Sequence, residues 1–214
     1  MVLPYRRFGR TNIKIPVLSL GGMRFQKSWN QLDFSEISNN DQQKLENILK
    51  LANKYGFNHI ETARHYGTSE IQLGFGFKNI GQIPGIIQTK IPPNKNVKIF
   101  EEAIIKSFES LQVEKIDLIA IHGINNLEHL HQACREGGCV DVLKRWQKEK
   151  LIGHIGFSTH GESSIIEKVI STNLFDYVNL HWYFINQKNS NIIDIARKND
   201  LGVFIISPTD KGGH

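Results

Sequence analysis

Short runs of Ile, Leu and Val alternate with segments of helical period along this 214-residue chain, and that alternation restricts its fold more than any other feature. "VLSLGG" (17–22), "FNHIE" (57–61), "GIIQTK" (85–90) and "KIDLIAIH" (115–122) read as strands. So do "IGHIGFS" (152–158), "YVNLHWY" (177–183) and "GVFIIS" (202–207). Several are almost continuously apolar, as strands covered on both faces should be. Between them, Leu45, Ile48, Leu49 and Ala52 fall on one helical face, as do Phe100, Ala103, Ile104, Phe108 and Leu111. Ile165, Ile166, Val169 and Ile170 repeat the spacing, followed by Ile192, Ile193 and Ala196. "TSEIQLG" offers Thr68 as a helix cap, and "VDVLKRW" reads as a further short helix.

Strand–helix units of roughly 25 to 40 residues require parallel strands joined by right-handed crossovers. An open doubly wound sheet and a (β/α)8 barrel both satisfy that rule. A dinucleotide-binding open sheet should carry G-x-G-x-x-G after an early strand, whereas Gly21–Gly22 is followed by Met23 and Arg24. The expectation is therefore an α/β fold, a (β/α)8 TIM-type barrel forming a single domain over residues 1–214. Such barrels usually take about 250 residues, so the last β/α unit or units are expected to be missing. "YRRFGRTNIKIP" predicts a small hairpin closing the barrel floor.

The net charge of +5 is spread along the chain with no basic run interleaved with aromatics, which argues against nucleic acid; it reads as a solvated mixed-charge surface, with an anionic small ligand such as a phosphorylated cofactor as the next candidate. No apolar run approaches the roughly 20 residues that span a bilayer, and no signal-peptide pattern opens the chain. A cytoplasmic location is expected, with no membrane partner. The two cysteines, Cys134 and Cys139, have neither CxxC spacing nor a second cluster, so no metal is expected.

Chemistry in such barrels gathers where strands end. The residues there are Glu61, Lys90, His122, Ser158, His181 and Ser207, with Tyr66 just beyond Glu61. His59 and His154 precede their strand ends and are expected to be bottom-side or satisfied core residues. The first strand has no His-x-His pair, which disfavours a metal hydrolase.

"ETARHYGTSE", "IIQTK", "IDLIAIHG" and "LIGHIGFSTH" resemble, in order and spacing, the signatures of the aldo-keto reductase family, and "YRRFGRTNIKIPVLSLGGMRF" is similar to its opening hairpin and first strand. The resemblance implies reduction of an aldehyde or ketone by hydride from NADP(H). It makes Tyr66 the general acid, Lys90 the cation that lowers its pKa, Glu61 the carboxylate that holds Lys90, and His122 the group that orients the carbonyl. Glu61 stands where the family usually has Asp. On the cofactor side the resemblance places Gly22, Met23, Ser158, Thr159, Ile206 and Ser207. Leu180 aligns with a frequent Gln, and Ile206 with a Tyr that commonly stacks on the nicotinamide. Two further expectations follow from the family's length: self-association through unclosed barrel edges, and, as the alternative function, an inactive reductase-like binding module without the adenosine-phosphate site.

Overall fold

The computed structural model of the chain describes residues 3–82 and 85–208. An antiparallel hairpin comes first, β1 (Tyr5–Arg7) against β2 (Lys14–Pro16). Then β3 (Leu20–Gly21), β4 (His59–Glu61), β5 (Ile86–Ile91), β6 (Ile116–Ile121), β7 (Ile152–Ser158), β8 (Tyr177–Leu180) and β9 (Gly202–Ile205) form one seven-stranded sheet in sequence order. Every neighbouring pair in it is parallel. Unbroken order separates the two candidate architectures, because a doubly wound sheet reverses its order partway. The result is a curled, incomplete (β/α)8 barrel with its N-terminal hairpin.

The helices are α1 (Asn39–Lys54), α2 (Ser69–Ile80), α3 (Val97–Leu111), α4 (Leu127–Cys134), α5 (Cys139–Lys148), α6 (Ser163–Ser171) and α7 (Ser190–Lys198). Alternation along each strand sorts the side chains into two sets. Ile119, Ile121, Ile155, Phe157, Val178 and Leu180 belong to a large core shared with helix residues such as Leu49, Ile104, Leu143, Ile166 and Ile192. Ile86, Leu118, Ala120 and Tyr177 face the other way and pack with Phe8 and Ile15 of the hairpin region. The hairpin thus covers the amino end of the curl, and Phe8 rests on the Tyr177 ring with centroids 5.3 Å apart. Arg10 N donates to Asp200 O at 2.6 Å, tying the same region to β9.

Four details differ from the sequence reading. Most strands are shorter than their apolar runs, and β3 keeps only two residues because Val17 and Leu18 are exposed ahead of it. On α1, Leu45, Leu49 and Ala52 are buried but Ile48 is 40% exposed, so the apolar stripe is narrower than its hydrophobic residues imply. Thr68 occupies the N-cap position of α2 without capping it; its hydroxyl donates to Gln72 Oε1 and accepts from Lys27 N. The helix α4, capped by Asn126 Oδ1 on His129 N, was not expected.

Candidate active site

β4 and β5 pair so that Glu61 lies opposite Gln88, with Lys90 two residues further on toward the carboxyl end. Lys90 is buried, and its Nζ donates to Thr62 O at 2.8 Å while contacting the Glu61 carboxylate. Burial pushes the Lys90 ammonium well below its usual pKa. The adjoining carboxylate opposes that fall, since an opposite charge in contact favours the protonated form. The added methylene of Glu61 does not prevent this pairing.

Tyr66 sits in the connection from β4 to α2. Its ring lies 4.5 Å from Lys90 Nζ and edge-on to His122, with ring centroids 5.9 Å apart at 89°. Burial pushes the Tyr66 phenol up to about 12. His122, directly after β6, is held down to about 3, first by burial and then by the Lys90 charge. Its Nδ1 is buried and has no hydrogen-bond partner among the described residues. The four side chains singled out from sequence, Glu61, Tyr66, Lys90 and His122, therefore meet at the carboxyl rim of three neighbouring strands.

The loop that carries Tyr66 is fixed from both sides. Arg64 donates to Glu70 Oε2 at 2.5 Å and to Ser110 Oγ at 3.0 Å, and it contacts Gln31. Glu70 Oε1 accepts from Thr89 Oγ1 at 2.6 Å. Gly67 adopts φ +48° directly beneath the backbone of Ser28, where a Cβ would fall 1.6 Å from Ser28 O. Only glycine permits that conformation and that approach at once. None of these partners was legible beforehand, because they join positions up to 46 residues apart.

The remaining candidates lie around the same rim. A cavity of about 950 Å³ runs from Phe8 and Ile15 near the hairpin to Met23, Tyr66, Ile206 and Ser207 at the rim. Gly22 is buried at the turn after β3, where a Cβ would be 2.8 Å from Ser69 Oγ and 3.0 Å from Glu61 O. Ser158 Oγ accepts from Gly123 N at 3.0 Å, leaving its own proton available. Thr159 differs: its hydroxyl donates to Ile124 O at 2.8 Å and accepts from Gly161 N at 3.0 Å. That hydroxyl has no second proton to offer a ligand. His181 Nε2 and His160 Nδ1 are 2.9 Å apart on the β7–β8 side of the rim. His59 is a satisfied interior residue, as expected, and His154 lies 3.4 Å from Asp176.

Leu180 points outward into the helix-facing core and cannot touch the rim. Its neighbour Asn179 points inward instead, in register with Ser158. Asn179 Oδ1 accepts from Gln88 Nε2 at 3.1 Å, while its Nδ2 is buried with no partner among the described residues. The alternation in "YVNL" was the available signal for this residue. Among the described residues no group of three or more His, Cys, Asp or Glu could hold a metal ion, and no helix is long and apolar enough to cross a membrane.

Solved structures share this architecture. The holo form of an aldo-keto reductase from Bacillus halodurans superposes with a TM-score of 0.80 at 16% identity, covering 98% of this chain and 68% of that one. An aldo-keto reductase from Klebsiella pneumoniae in complex with NADPH gives 0.75 at 15% identity, covering 100% and 71%. One from Bombyx mori in complex with NADP gives 0.71 at 17% identity, covering 97% and 67%. At such identities the likeness is one of fold. No curated protein sequence matches significantly. The model of the Aldo/keto reductase family matches residues 17–213, nearly the whole length, and the chain belongs to that family.

Proposed function

We propose that this chain is a nicotinamide-dependent carbonyl reductase in which Tyr66 protonates the carbonyl oxygen. The observation that carries the reading is the placement of Lys90 between the Glu61 carboxylate and the Tyr66 ring, with His122 edge-on to the same ring. Family membership makes the protein an oxidoreductase of the aldo-keto type, and the neighbours that hold NADPH or NADP favour a phosphorylated nicotinamide.

The residues present fit such a cofactor at its nicotinamide end. Asn179 Nδ2 is a buried donor in want of an acceptor, and Ser158 has a free hydroxyl proton beside it in register. A carboxamide oxygen answers both. Ile206 and Met23 supply apolar wall. When bound, a reduced nicotinamide supplies the hydride that adds to the carbonyl carbon.

The chain's own residues manage the proton. A phenol lifted to about 12 by burial is a weak acid. The Lys90 cation stabilises the phenolate that forms as the proton leaves Oη, so it helps most in the transition state. Glu61 keeps that cation charged and in place. His122 stays neutral at pH 7, so its imidazole can hydrogen-bond the carbonyl without adding a second cation beside Lys90.

Titrating NADPH into the purified chain at pH 7, followed by nicotinamide fluorescence, and then adding 4-nitrobenzaldehyde tests the reading. Submillimolar binding followed by aldehyde-dependent NADPH oxidation is expected. Binding without oxidation would leave the binding-module alternative, and absence of binding would remove the proposal.

A further inference from the structure

Beneath Glu61 and Lys90 the barrel interior holds the polar side chains of His59 and Gln88, which the reduction itself does not use. His59 precedes Glu61 by two residues on β4, and Gln88 precedes Lys90 by two on β5, so all four face inward. His59 Nδ1 lies 2.8 Å from Ser19 Oγ, and His59 Nε2 lies 3.0 Å from Gln88 Oε1. Gln88 Nε2 in turn donates across the interior to Asn179 Oδ1. His59, Gln88 and Asn179 are each fully buried, and the His59 ring meets Phe204 edge-on at 5.3 Å.

The direction of each bond follows from the last one. Gln88 uses its amide N–H on Asn179, so its oxygen accepts; His59 Nε2 must then carry the proton, and Nδ1 must accept from the Ser19 hydroxyl. His59 is thereby fixed as one neutral tautomer. Lys90, whose charge reaches His59, and Glu61 lie above it, and the Phe204 ring on β9 closes one side.

We propose that His59 is a positioning residue: the layer Ser19–His59–Gln88–Asn179 is a rigid polar floor that leaves the Lys90 side chain one course, upward to Glu61 and the Tyr66 ring. The assignment rests on the carbonyl-reductase reading for its effect on rate, but its effect on Lys90 is independent of turnover. Neutrality is part of the device. A protonated His59 would put a second buried cation under Lys90, and burial together with the Lys90 charge holds the imidazole down to about 4.

The test uses the wild-type chain, His59→Leu, His59→Gln and Ser19→Ala. Lys90 is followed by NMR of its ammonium nitrogen and Cε, identified by comparison with Lys90→Arg. His59→Leu replaces the dipoles beside the ammonium with hydrocarbon, so the Lys90 acid dissociation constant should rise at least tenfold. With NADPH and 4-nitrobenzaldehyde, kcat should fall at least tenfold while KM for NADPH stays within twofold. His59→Gln, which can still bridge Ser19 and Gln88, should restore most of both. Ser19→Ala keeps the Nε2–H bond to Gln88 but strips Nδ1 of its donor and loosens the ring, so it should move Lys90 in the same direction at least threefold, even where His59→Leu fails to fold. An unchanged Lys90 titration in the folded variants overturns the proposal. Absence of turnover in the wild type, with Lys90 responding as stated, overturns the reductase reading alone.

Discussion

His59 and His122 are imidazoles held neutral inside the fold, at about 4 and about 3 against an ordinary value of 6.5. Their pKa values are depressed, so the unfolded chain binds more protons than the folded one between about pH 6.5 and those values. Stability must then fall as pH drops through that window and is fully present above it. Going from pH 7 to pH 5 should cost about 2 kcal/mol for each histidine, read as the change in urea unfolding free energy. His59→Gln should remove about half of that pH dependence. The sequence made His59 legible as a core residue but not its partners, because Ser19 and Gln88 come from two other parts of the chain. Asn179 was not singled out, although it faces the interior while the neighbouring Leu180 faces the helices.

At the scale of elements, the connection between β4 and α2 is set by its restraints rather than by its own sequence preference. Glu70 is buried with Arg64 and Thr89 as partners, so Glu70→Gln leaves the Arg64 guanidinium poorly compensated. Loss of one partner of a buried pair costs about 3–5 kcal/mol, and turnover should fall with it because the same segment carries Tyr66. Urea denaturation and a turnover assay check both halves. By contrast, Ser38→Ala removes the cap on Asp41 N at the start of α1 and an exposed bond to Asp41 Oδ2. It should cost about 1 kcal/mol with no effect on rate. Helices with a strong apolar period were legible; α4 was not, because within "LEHLHQAC" only Ala133 is buried. The stripe on α1 was drawn too wide, since Ile48 has the right spacing for a broad face and no core beyond it.

For the whole molecule, the consecutive parallel order was legible because each Ile- and Leu-rich run ended in polar residues before a helical period began. The hairpin was legible too, from the turn residues between "YRRF" and "IKIP". What the sequence did not show is how the hairpin engages the barrel. Phe8 is buried against Tyr177 and beside Gly202, where a Cβ would fall 2.7 Å from the Phe8 ring. Phe8→Ala should destabilise the fold by about 3–5 kcal/mol through the cavity it opens, measured by urea denaturation.

Convergence of a phenol, an ammonium, a carboxylate and an imidazole at one rim is the claim on which the function depends, and Tyr66→Phe addresses it most directly. Rapid mixing of the NADPH-loaded variant with 4-nitrobenzaldehyde should show oxidation slowed about 10²- to 10⁴-fold, the range for a lost general acid, with NADPH affinity retained. A Tyr66→Phe protein that oxidises NADPH within a few-fold of the wild-type rate would contradict it.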